Sequence, residues 1–155
     1  MNGCNNLGWL YQEGLGVSED YSRAKSFYTK ACDGDNMNGC NNLGWLYQKG
    51  LGVSEDYNRA RSFYTKACDG YDMIGCDNLG FIYQKGLGVS VDYSRARSFY
   101  IKACDREYMS ACGNLGWMHQ YGLGGSIDYG SARSLYTKAC DGGDKNSCDY
   151  LASLR

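Results

Sequence analysis

The chain has 155 residues, with 22 Gly, no Pro, 9 Cys, 14% aromatic residues and a formal net charge of −1. A chain without Pro is neither collagen-like nor Pro-rich, and its abundant Tyr argues against disorder. The near-neutral charge gives no reason to expect nucleic acid or an anionic membrane as a partner, whereas so many cysteines bring disulfides, metal or redox chemistry into the account.

The cysteines stand at 4, 32, 40, 68, 76, 104, 112, 140 and 148, so their gaps alternate between 28 and 8 and the period is 36. Four complete units run over 3–38, 39–74, 75–110 and 111–146 without an insertion, and a partial fifth covers 147–155. The first two units differ at only six positions: 13/49, 22/58, 25/61, 35/71, 36/72 and 38/74. Such regularity is the signature of a solenoid, in which each unit buries its apolar face by stacking on its neighbours, and one domain over 1–155 is expected.

Along the second unit, Cys40, Leu43, Gly44 and Tyr47 recur at helical spacing until Gly50 and Gly52, which predicts a short helix A closed by glycine. Asp56 then caps a helix B whose apolar residues Tyr57, Ala60, Phe63, Tyr64, Ala67 and Cys68 follow a 3.6-residue period. Asn58, Arg59, Ser62 and Lys66 form its opposite, solvated stripe, and the run from Asp69 through Gly70 and Tyr71 to Asp72 turns the chain into the next helix A. Each unit is thus an αα-hairpin of helices about 12 residues long, too short to stand alone in water. No run approaches the length of a membrane span, and no strand pattern survives the periodicity.

The recurring residues Leu43, Gly44, Tyr47, Gly50, Gly52, Val53, Asp56, Tyr57, Ala60, Phe63, Tyr64, Lys66 and Ala67 resemble the Sel1-like repeat, a relative of the tetratricopeptide repeat, over residues 3–146. Cysteine at the start of helix A and the end of helix B resembles one branch of it, the Helicobacter cysteine-rich family. The resemblance implies an all-α, right-handed αα-hairpin solenoid of four repeats plus a partial C-terminal repeat, cross-linked by disulfides, with helix A lining a concave groove. It also brings penicillin binding or weak β-lactamase-like activity as an alternative function. In ordinary repeats of this class both cysteine positions are usually Ala, which makes a bridge between them sterically reasonable.

Three roles compete for the cysteines. Structural zinc wants clustered ligands at short spacing, and this chain offers C-x7-C pairs with a single histidine, so no metal and no cofactor are expected. Packing as small core residues leaves unexplained why all nine occupy two repeat positions. Disulfides remain, and pairing at a separation of 8 or of 28 is equally conceivable from spacing. The short pairing, Cys32–Cys40, Cys68–Cys76, Cys104–Cys112 and Cys140–Cys148, is favoured for two reasons. Met1 falls inside the opening of a helix A, so a partner for Cys4 is expected upstream of a truncation, and the family resemblance points the same way. Persistent disulfides place the protein in a periplasm or outside the cell, with a signal peptide expected to have been lost from this chain.

Little in the sequence points to catalysis. His119 stands where other units have Tyr11, Tyr47 and Tyr83, with no partner for a triad. Ser22-x-x-Lys25 matches a β-lactamase motif, but the next unit has Asn58 and Arg61 there, and neither S-D-N nor K-T-G occurs. Asp33-Gly34-Asp35 opens like a calcium loop, but Met37 takes a ligand position and no closing Glu follows. What remains is recognition. Helix A aligns Asn5-Trp9-Glu13, Asn41-Trp45-Lys49, Asp77-Phe81-Lys85 and Gly113-Trp117-Tyr121 into an aromatic ladder with polar flanks, which either contacts a ligand or fills the seam between A helices. The expected function is a non-enzymatic scaffold that binds a peptide or protein segment, without nucleic acid or membrane insertion. A repeat array without an activity of its own is a further alternative.

Overall fold

The computed structural model describes residues 2–154, which contain nine helices and no strand. They are α1 (Asn2–Glu13), α2 (Tyr21–Asp33), α3 (Met37–Lys49), α4 (Tyr57–Asp69), α5 (Met73–Lys85), α6 (Tyr93–Cys104), α7 (Met109–Gln120), α8 (Tyr129–Asp141) and α9 (Lys145–Ser153). Odd-numbered helices are the A helices of the αα-hairpin repeats, even-numbered ones the B helices, and α9 is the partial fifth repeat. The chain divides into two compact units, one up to Gly75 and one from Cys76.

The helix boundaries follow from side chains. Asp20, Asp56, Asp92 and Asp128 sit in extended backbone ahead of the B helices, and each accepts a hydrogen bond at 2.9 Å from the backbone N–H three residues on. Such a cap contributes about 1 kcal/mol. Helix α3 ends at Gly50, whose left-handed φ of 66° lets its N–H return to the carbonyl of Leu46.

Within each unit, A and B helices approach closely because glycine faces tyrosine. In the first unit Tyr64 is fully buried, and a Cβ on Gly44 would lie 2.8 Å from its ring. In the second, Gly80 and Gly116 face the buried rings of Tyr100 and Tyr136 in the same way. The Tyr64 hydroxyl escapes the burial penalty by donating to Oε1 of Gln48 at 2.6 Å, and Tyr28 does so to Gln12 at 2.8 Å. Burial drives the hydroxyl pKa values of Tyr28, Tyr64, Tyr100 and Tyr136 upward.

Disulfides join Cys32 to Cys40, Cys104 to Cys112 and Cys140 to Cys148, with Cα atoms 4.5, 4.7 and 4.7 Å apart. The short pairing is therefore the one present at these junctions, tying the end of a B helix to the start of the following A helix. Cys68 and Cys76 are disulfide-bonded as well, while Cys4 is free and half-buried.

The turns between repeats fall where the sequence places them, with left-handed residues at Asp35, Tyr71 and Glu107, whose φ values are 58°, 67° and 62°, and at Gly143 in the last of them. One feature departs from the sequence reading. The solvated stripe expected of helix B is only partly free. Arg59 lies 5.3 Å over the Tyr47 ring and donates to its hydroxyl at 3.1 Å, and Lys66 donates to the carbonyl of Cys32 at 2.8 Å. Long side chains at exposed backbone positions fold back over apolar and carbonyl groups of neighbouring helices.

Candidate functional site

The face of the A helices that carries the aromatic ladder is partly core and partly surface. In the first unit, Trp9 on α1 is 47% exposed, whereas Trp45 on α3 is half-buried against the cluster containing Leu43, Leu46 and Ala67. In the second unit, Phe81 on α5 is 38% exposed, with the Lys85 ammonium 5.9 Å from its ring centroid. Trp117 packs against Ala132 and Tyr136 and tilts onto the exposed Tyr121 at 5.0 Å. The third ladder positions, Glu13, Lys49, Lys85 and Tyr121, are all exposed.

The polar rung beneath the aromatics links successive A helices. Asn42 Nδ2 donates to Oδ1 of the half-buried Asn5 at 3.0 Å, and Asn41 beside it is buried. In the second unit Asn114 Nδ2 donates to Asp77 Oδ1 at 2.9 Å. Burial pushes the Asp77 carboxyl up to about 6; the hydrogen bond from Asn114 works against this and the charge of Asp144 adds to it. At the following rung Gly113 makes room for Ser147, whose hydroxyl a Cβ there would meet at 2.3 Å, beside a cleft of about 110 Å³ also lined by Ser110, Asn114, Asp144 and Tyr150. The spacing of the A-helix residues indicated the ladder positions, but not which asparagines hydrogen-bond or that the half-buried Asp77 carboxyl is held above its ordinary range.

On the far side, repeats share a second construction. Tyr11 and Tyr47 stack on Phe27 and Phe63 at 5.6 Å, and Tyr83 on Phe99 at 5.8 Å, each tyrosine being capped by Arg23, Arg59 or Arg95. His119 takes this tyrosine position in the fourth repeat, half-buried, and its neighbour is Arg97. Ser22 of the β-lactamase-like motif is exposed on α2. Among the described residues no group of three or more His, Cys, Asp or Glu is arranged to hold a metal ion, and no helix is long and apolar enough to cross a membrane.

Comparison with known proteins gives a consistent picture. The family model described as Sel1 repeat matches residues 2–36, 38–72, 74–108 and 110–144. Among solved structures, a Sel1 repeat protein from Oxalobacter formigenes is 30% identical with a TM-score of 0.93, over 98% of this chain and 62% of that one. A protective antigen of uropathogenic Escherichia coli displaying an SLR fold is 32% identical with a TM-score of 0.86, over 98% of this chain and 32% of that one. Cysteine-rich protein B of Helicobacter pylori is 28% identical with a TM-score of 0.68, over 86% of this chain and 96% of that one. The chain thus spans less than two thirds of the first two structures. No curated protein matches it.

Proposed function

Because the chain belongs to the Sel1 repeat family, we propose that it is a scaffold that holds a peptide or protein segment against the ladder face of its A helices, outside the reducing cytosol. The observation that carries this reading is the exposure of Trp9 and Phe81, at 47% and 38%, beside polar groups already held in place. Large rings with a fixed polar frame present apolar area at little ordering cost, which is what peptide recognition needs. The rungs Asn5–Asn42 and Asp77–Asn114 supply that frame. The varied tips Glu13, Lys49, Lys85 and Tyr121 are the groups that select one partner over another. The disulfides support a periplasmic or secreted location, where they persist.

The test is selection of peptides from a displayed library on the oxidised protein, followed by affinity measurement with Trp9→Ala, Phe81→Ala and the exposed α6 control Ser98→Ala. A loss of about tenfold or more with each aromatic variant, and none with the control, is expected. Selected peptides that bind the aromatic variants as tightly as the parent would refute the reading.

A further inference from the structure

The fifth residue of every B helix is basic: Lys25, Arg61, Arg97 and Arg133. In the second unit this side chain finds an acceptor in the repeat that follows it. Nη2 of Arg97 lies 2.9 Å from Nε2 of His119, and Nη2 of Arg133 donates to the carbonyl of Leu154 at 2.7 Å. In the first unit Lys25 is half-buried, yet its ammonium has no hydrogen-bond or ion-pair partner among the described residues. A partly desolvated cation without an acceptor carries a cost that a bound anion offsets.

Lys25 opens onto a cleft of about 430 Å³ between α2 and the loop from α3 to α4, on the side where Tyr47 stacks on Phe63. The acids lining this cleft are already engaged. Asp56 caps α4 by accepting the Arg59 backbone N–H at 2.9 Å and pairs with Nε of Arg59 at 3.5 Å. Glu55 is hydrogen-bonded with the Tyr57 hydroxyl. The donors are not used up. The Tyr47 hydroxyl accepts from Nη1 of Arg59 at 3.1 Å, which leaves its own proton to give. Nη2 of Arg59 and the Ser54 hydroxyl make no hydrogen bond among the described residues.

We propose that this cleft binds a carboxylate of a peptide, held by the Lys25 ammonium with Nη2 of Arg59 and the hydroxyls of Tyr47 and Ser54. Arg59 is neutralised by Asp56, so Lys25 is the one cation of the cleft without a counter-charge, and a single negative charge matches it. A phosphate dianion would bring a second charge against Glu55. Val53 and the Tyr47 ring supply an apolar wall for the residue that carries the carboxylate. The site is separate from the ladder face and does not depend on what that face holds.

The probes are three acetylated dipeptides titrated into the oxidised, isotope-labelled full chain and followed by the backbone amide signals of Ser54 and Arg59. Acetyl-Ala-Leu has a free terminal carboxylate, acetyl-Ala-Asp amide carries one on its side chain, and acetyl-Ala-Leu amide has none. At least one of the two acids is expected to bind about tenfold or more tightly than the uncharged peptide, and the tighter acid identifies the source of the carboxylate. Lys25→Gln reduces its binding to the level of the uncharged peptide without disturbing the rest of the spectrum. Lys30→Gln, an exposed change on the same helix, leaves it as in the parent. Equal binding of all three peptides, or binding to the Lys25→Gln variant as tight as to the parent, overturns the proposal. Inorganic phosphate binding more tightly than either acid also overturns it.

Discussion

The guanidinium of Arg97 lies 2.9 Å from Nε2 of His119, joining the B helix of the third repeat to the A helix of the fourth. Arginine carries only donors, so the ring nitrogen facing it accepts and the imidazole is neutral. In the three earlier repeats a tyrosine occupies this place under an arginine of its own repeat, Tyr47 under Arg59 for example. In the fourth, His119, Ser131 and Leu135 replace Tyr, Arg and Phe together. With its own arginine gone, the ring turns to the arginine of the preceding repeat.

Burial first, and Arg97 second, hold the His119 pKa below its ordinary 6.5. The unfolded chain therefore takes up this proton more readily, so the stability associated with neutral His119 is complete above pH 6.5 and is lost as pH falls below it. His119→Gln, which keeps an acceptor and cannot titrate, is expected to flatten the fall in melting temperature between about pH 7 and pH 5.5 relative to the parent. Identical slopes for the two proteins would show that the imidazole does not titrate against Arg97.

Asp77 works in the opposite direction. Its folded pKa of about 6 lies above the ordinary 3.8, so the folded state holds its proton more tightly between those values and stability declines as pH rises through them. Asp77→Asn keeps the acceptor for Asn114 and has the residue type found at Asn5 and Asn41. It is expected to raise stability at neutral pH by up to about 2 kcal/mol, with a much smaller gain below about pH 4, in paired denaturant titrations.

Each eight-residue disulfide limits the unfolded chain by closing a short loop, an effect of about 2–3 kcal/mol. Replacing Cys32 and Cys40 together by Ala is expected to lower stability by that amount. Cys4→Ala, which removes no bridge, changes it by less than about 0.5 kcal/mol. Calorimetry with and without reductant checks both, because reduction should lower the melting temperature of the Cys4→Ala variant as much as that of the parent.

Gly44→Ala places a methyl group 2.8 Å from the Tyr64 ring and 3.2 Å from the carbonyl oxygen of Ala60, a helix backbone that cannot yield locally. Despite the better helix propensity of Ala, a loss of about 1–3 kcal/mol is expected in urea denaturation. A gain in stability would mean that the two helices separate more easily than their packing implies.

The period, the helix pairs, the aspartate caps and the glycine stops were legible because each depends on residues near one another in sequence. The turn between repeats was legible as a turn, but not its backbone: Gly34 has φ −92°, whereas Asp35 after it has φ 58°. Gly70 is small for another reason: a Cβ there would lie 2.3 Å from the sulfur of Met37. The return of Lys66 to the Cys32 carbonyl, the acidity of Asp77 and the split of the ladder into exposed Trp9 and half-buried Trp45 were also hidden. All three depend on a residue roughly one repeat away, and hence on how hairpins stack rather than on the pattern within one.

The hydrogen bonds from Asn42 to Asn5 and from Asn114 to Asp77 each span 37 residues. Polar ties of this reach become available soon after the second partner is made, long before a distant end of the chain exists. During synthesis a hairpin can thus settle onto the one before it as soon as the next stretch leaves the ribosome, and lengthening such an array does not increase the loop entropy that each new hairpin must overcome.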